Sequence, residues 1–251
     1  MKLVLLTALG VGGATLFGTV LGFIFRKISH KFSDIVLSFA AGVMLCAAVT
    51  GLILPSLESG GSAPLLVTIV GVICGAIFLN ILDKIVPHLH KLAGVEQEDH
   101  PESSAKLNKI LLFVMAIAIH NLPEGIAAGV GFGSENTSQA FTIAAGIALQ
   151  NIPEGMVIIG PMLAAGMSPK RTFLCAAATG VIEVIGTLLG YFAVSISAAI
   201  LPFALAFAGG TMLYVISDEM IPETHHSDTS GVTYSLLLGF CLMLAMDFFL
   251  G

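Results

Sequence analysis

The sequence predicts an all-α membrane protein: a single polytopic domain over residues 1–251, with eight transmembrane helices and an inverted repeat. Three observations predict it. Of 251 residues, 56% are hydrophobic and 10% charged, with a mean hydropathy of +0.99; soluble domains carry roughly 45–50% apolar and 25% charged residues. So apolar a chain needs a lipid bilayer around it. Apolar stretches near the ~20 residues that cross a bilayer recur from end to end, and the basic residues fall in alternate connections between them. The net charge of −6 gives no sign of nucleic-acid binding.

The first stretch, Leu3–Phe25, is longer than the apolar region of a signal peptide. Arg26-Lys27 follows where a cleavage site of small residues would stand, so it reads as a retained helix. Ser33–Leu54 and Pro64–Val86 are the second and third spans. The longest polar stretch, 88–108, holds Glu96, Glu98, Asp99, His100, Glu102, Ser103 and Ser104 and reads as a flexible cytoplasmic loop. His88, His90 and His100 are weak candidate metal ligands within it. Lys109–Phe132 and Gln139–Pro161 are spans four and five; Thr172–Val194 and Ile200–Met220, with little between them, are six and seven. Val232–Leu250 is the eighth. Their length and Ala, Gly, Leu and Ile content favour helices over the short alternating strands of a barrel.

Cys46, Cys74, Cys175 and Cys241 all fall inside apolar spans with no close pair, as small packing residues do. Gly18-x-x-x-Gly22, Gly71-x-x-x-Gly75, Gly125-x-x-x-Gly129 and Gly186-x-x-x-Gly190 permit close helix approach and are expected to pack spans within one chain.

Orientation follows from charge. Arg26, Lys27 and Lys31 lie between spans one and two; Lys84, Lys91, Lys106 and Lys109 flank or join three and four; Lys170 and Arg171 join five and six. Nine of the ten Lys and Arg thus share one side, and only Lys2 does not. That side is the cytoplasm, which puts both termini outside. The even span count is needed for the partition.

One repeat stands out. Span four carries His120-Asn121-Leu122-Pro123-Glu124-Gly125, and span five carries Gln150-Asn151-Ile152-Pro153-Glu154-Gly155, 30 residues on. Consecutive spans joined by a short loop run antiparallel, so the copies oppose each other at similar depth, as around a two-fold axis in the membrane plane. Residues four apart on a helix differ by about 40° in azimuth, so His120 and Glu124 share a face, as do Gln150 and Glu154. Asn121 and Asn151 flank those faces. An imidazole, carboxylates and amide oxygens suit Zn²⁺ and also tolerate Fe²⁺, Mn²⁺ or Cd²⁺.

Pro123 and Pro153 cannot bond to the carbonyls of Ile119 and Leu149 and are expected to kink their helices, with Gly125 and Gly155 easing the bend. Carbonyls freed in this way can line a cavity. Span six adds Glu183 between apolar neighbours. Each buried carboxylate costs about 2.5–3.5 kcal/mol on the mildest scale, and spans four to six hold no Lys or Arg beyond their ends to offset three of them. A divalent cation, or protons in its absence, supplies the compensation.

These residues resemble the signature of the ZIP (Zrt/Irt-like) divalent metal transporters, in their prokaryotic form. The resemblance implies eight spans, a homodimer and a binuclear site halfway across the membrane. Carried over by position, one metal would use His120, Glu124, Gln150 and Glu154. The second would use Asn121, Glu124, Asn151, Glu154 and Glu183, with Glu124 and Glu154 bridging. Prokaryotic members can carry Asp where this chain has Asn151, so the second position is one negative charge short.

Two further places resemble the family less tightly. Glu58, at the outer end of span two, is similar to an entrance carboxylate, and an ordinary helix-end charge reads equally well. Met44 lies in a stretch resembling the pathway-lining part of span two, where a packing role also fits. Asp218, Glu219, Glu223, His225, His226 and Asp228 cluster at the cytoplasmic end of span seven without Lys or Arg, resembling a metal exit or sensing site.

The expected function is zinc uptake into the cytoplasm across the cytoplasmic membrane by alternating access, without enzymatic activity. A metal exporter or metal-sensing membrane receptor is the alternative. An intramembrane metalloprotease fits less well: no His-Glu-x-x-His occurs, and extra carboxylates would saturate the metal.

Overall fold

The computed structural model describes residues 1–25, 29–59, 63–92, 118–133, 137–164, 166–224 and 229–250, and among them the regular structure is helical, with no strand. The order is α1 (Lys2–Ile24); α2 (His30–Cys46), running through a π-helical segment (Ala47–Ile53) into α3 (Leu54–Ser59); α4 (Pro64–Leu92); and α5 (118–131). Then come α6 (Thr137–Val157), α7 (Ile159–Ala164), α8 (Pro169–Ile196) and α9 (Leu201–Val215). A second π-helical segment (Ile216–Met220) leads from α9 into α10 (Ile221–Thr224), and α11 (Thr229–Leu250) closes the fold.

Among the described residues, six stretches are long and apolar enough to cross a membrane: Lys2–Ile24, His30–Glu58, Pro64–Lys84, Pro169–Ile196, Leu201–Thr224 and Ser230–Leu250. They match the predicted spans one, two, three, six, seven and eight. The start of predicted span four lies outside the described residues. Span five corresponds to α6, whose Gln139, Gln150, Asn151 and Glu154 dilute its apolar character. Outward-facing Leu6, Leu9, Leu65, Leu66, Ile73, Leu238 and Phe248 give the exterior an apolar surface.

Several boundaries differ from expectation for physical reasons. α4 continues to Leu92, so the polar stretch expected from residue 88 starts as helix. Leaving an apolar environment does not by itself end backbone hydrogen bonding. Residues 93–108, including His100, lie outside the described residues. In α6 the regular helix gives way at Ile158, one turn after Pro153, where amide–carbonyl distances lengthen to 3.3 Å (Ile158 to Glu154) and 3.4 Å (Met162 to Ile158). Both π segments end two residues before a proline, Ile53 ahead of Pro55 and Met220 ahead of Pro222. The proline ring crowds the carbonyl four residues back, and a shift to the wider π pattern just ahead of it relieves that contact.

Glycine sorts the helices into two groups. α1 packs on α6 and α8, and α5 packs on α8, backbone against backbone. α2 packs on α11, and α4 on α9, in the same manner. Across the boundary the contacts are side chains instead: Ile143 Cγ1 would lie 2.7 Å from a Cβ at Gly51, and Met243 Sδ 2.6 Å from one at Gly146. All four expected Gly-x-x-x-Gly pairs pack within the chain, and those of α5 and α8 interlock reciprocally.

Gly125 and Gly155 serve close approach: a Cβ at Gly125 would strike the Glu183 carbonyl, and one at Gly155 the Thr15 carbonyl. Gly155→Ala is expected to lower stability by about 3 kcal/mol, the upper part of the overpacking range, because backbone cannot yield as a side chain does. Gly10→Ala, with nothing within 4 Å, is expected to cause no loss. Thermal melts of the two variants in detergent check the contrast.

Candidate metal centre

The two motif copies face each other across α5 and α6, and α8 brings Glu183 to them. Asn121, Glu124, Gln150, Asn151 and Glu183 are all buried, all but Asn121 completely. Glu154 is only partly enclosed, yet lies near enough to Glu124, Glu183 and His120 to interact electrostatically.

Hydrogen bonds fix the orientation of every amide. Gln150 Nε2 donates to Glu124 Oε1 at 2.8 Å. Asn151 Nδ2 donates to Glu183 Oε2 at 2.7 Å and lies 3.5 Å from the Val11 carbonyl. Asn121 Nδ2 donates to Glu183 Oε1, and the Thr15 hydroxyl donates to the same oxygen at 2.6 Å. An amide whose nitrogen donates to a carboxylate must turn its oxygen elsewhere. The oxygens so turned are Asn121 Oδ1, Gln150 Oε1 and Asn151 Oδ1; with Glu124 Oε2, these four buried atoms accept no hydrogen bond.

Native interiors rarely leave acceptors in that condition, and four within two motif copies make a concentrated exception. All four are oxygen donors of the kind a divalent cation takes.

His120, one turn before Glu124, brings its Nε2 to 2.5 Å from Glu219 Oε2 of the second π segment, out of line for a hydrogen bond. Asp83 of α4 and Asp218 share that electrostatic neighbourhood. Tyr214 accepts a 2.7 Å hydrogen bond from Asn80 beside them. Among the described residues no three His, Cys, Asp or Glu side chains gather as a ready-made metal cage. Amides interleave the carboxylates instead.

Of the remaining expected residues, Met44 is fully buried in the hydrophobic core. Glu58 is exposed on α3 and Glu223 on α10. His225, His226 and Asp228 lie outside the described residues. None of the four cysteines forms a disulfide. Sequence reasoning missed Thr15 and the Val11 carbonyl, which join the centre through tertiary contact, and Asp83, which folding brings into the electrostatic neighbourhood of His120 and Glu219; no spacing along the chain signals any of them.

Comparison with known proteins gives the family. The family model described as ZIP Zinc transporter matches residues 1–247. The chain is 39% identical over 255 residues to the zinc transporter GufA of Myxococcus xanthus, covering 98% of each protein. It is 37% identical to the zinc transporter ZIPB of Bordetella bronchiseptica, covering 95% of this chain and 78% of that protein. The zinc transporter ZIP11 of Homo sapiens is 30% identical, with 95% and 94% covered. With nearly its full length matched and both motif copies present, the chain belongs to the ZIP zinc transporter family.

Proposed function

We propose that this protein carries Zn²⁺, with Cd²⁺, Fe²⁺ and Mn²⁺ as related cargo, across the cytoplasmic membrane into the cell. The observation that carries the reading is the set of four buried oxygens without hydrogen-bond partners. Each costs about 1–3 kcal/mol while unpaired, and a divalent ion satisfies several at once. His120, Glu124, Gln150 and Glu154 form the main position in this proposal. Asn121, Asn151 and Glu183, with the bridging glutamates, form the second. Relatives named as zinc transporters put zinc first among the cargoes.

The proposal includes eight spans, an inverted repeat and both termini outside. The α-helix, π segment and proline occur in the same order in spans two and seven, which supports an inverted equivalence of the two halves. Every central residue lies on α1, α5, α6 or α8, so alternating access is a displacement of that group against α2, α4, α9 and α11. Backbone contacts within groups and side-chain contacts between them support this division. His120 and Glu219 meet across the boundary, so an ion leaving the centre passes toward Asp218, Glu219, Glu223, His225 and His226; Glu58 stands at the entrance. A homodimer is part of the proposal, tested by the mass of the detergent-solubilised protein.

Radiolabelled Zn²⁺ uptake by the purified protein in liposomes tests the function. Saturable uptake above protein-free vesicles is expected, and its absence sinks the proposal. Single cysteines at each terminus, labelled from outside intact cells by an impermeant thiol reagent, test the orientation.

A further inference from the structure

We infer that Thr15 of α1 is a positioning residue for the metal centre, acting through Glu183; the inference rests on the transport reading above. Helical threonines in this chain usually turn their hydroxyls back on their own helix. Thr19, Thr50, Thr142 and Thr187 donate to the carbonyl four residues earlier. Thr15 does not. Its hydroxyl crosses to α8 and donates to Glu183 Oε1 at 2.6 Å, with the side chain buried.

The bond sets more than one carboxylate. Glu183 holds the amide nitrogens of both Asn121 and Asn151, and by doing so aims both amide oxygens away from itself. The Val11 carbonyl, one turn before Thr15 on α1, adds a second acceptor near the Asn151 nitrogen. α1 therefore holds the carboxylate from one residue and the amide from another.

Thr15 cannot back away from this task. A Cβ at Gly180 would stand 2.7 Å from the Gly12 carbonyl and 3.6 Å from the Thr15 Cβ, so α1 and α8 are pressed together at this level. Without the hydroxyl, Glu183 loses the one donor that is not itself a candidate ligand. The carboxylate is then held only by the two amides it is meant to orient, and the two Asn oxygens are aimed less firmly with it. Supporting groups of this kind are typically worth about 10–100-fold in metal affinity.

The test uses Thr15→Val, which keeps the shape and removes the hydroxyl, and Thr15→Ser, which keeps the hydroxyl. Both are examined as full-length protein by Zn²⁺ binding in detergent and by initial uptake rates in liposomes. Thr15→Val is expected to raise the zinc Kd and the uptake KM about tenfold, with the melting temperature of the metal-free protein within a few degrees of the parent. Thr15→Ser is expected to remain within about twofold of the parent. In a Glu183→Ala background, Thr15→Val should add nothing further.

Parental Kd and KM in Thr15→Val overturn the inference, as does a Thr15→Ser variant equally impaired. A full additional loss in the Glu183→Ala background also overturns it, since Thr15 would then act by another route. A parent protein that neither binds nor moves zinc overturns the transport reading and this inference together. A parent that does both, beside an unaffected Thr15→Val, overturns this inference alone.

Discussion

Glu124→Gln is expected to weaken zinc binding by more than about 100-fold, because loss of a ligand should exceed the 10–100-fold typical of supporting groups. Glu124 is fully buried, accepts from Gln150 on one oxygen and leaves the other without a partner. The substitution keeps volume and planarity, removes the charge and replaces one acceptor oxygen with a donor nitrogen. Two readouts should then move in opposite directions. Metal-free stability should rise, since a neutral amide is cheaper to bury than a carboxylate. Stabilisation by zinc should vanish: at a concentration 100 times the parental Kd it is worth about 2.7 kcal/mol to the parent. Melts with and without zinc separate these effects, and a variant stabilised by zinc as much as the parent would remove Glu124 from the site.

Asn151→Asp is expected to convert a centre with one well-filled position into one with two. In the parent, Asn151 meets Glu183 as a hydrogen-bond donor at 2.7 Å. An Asp there places two carboxylates at that separation. Their repulsion is about 6 kcal/mol at an effective dielectric constant of about 20, and a proton or a second cation must relieve it. The variant should be less stable than the parent in chelator and more strongly stabilised by zinc. Its stoichiometry should rise from about one zinc per chain toward two. Equal stoichiometry in both proteins would mean that the charge at this position does not decide occupancy.

Much of this was legible in the sequence because it is local. Hydropathy over some twenty residues marks a span, and His120 to Gly125 and Gln150 to Gly155 declare themselves by repetition. The shared helix face of His120 and Glu124 follows from helical geometry alone. What was not legible is tertiary. Thr15 looks like any small polar residue in an apolar helix until α8 is packed against it. Asp83 is far in sequence from His120, and only folding brings it near. Gly125 and Gly155 sit beside prolines and suggest a bend, yet the backbones of α8 and α1 are what they accommodate. The π segments before Pro55 and Pro222 escape hydropathy altogether, since a change in hydrogen-bond register leaves composition unchanged.

Opposed motif copies are proposed to make one metal pathway. Zinc uptake into proteoliposomes, with Glu124→Ala and Glu154→Ala beside the parent at matched protein density, tests it most directly. Saturable uptake by the parent and rates at the protein-free background for both variants are the predicted result. Parental uptake by both variants would contradict it.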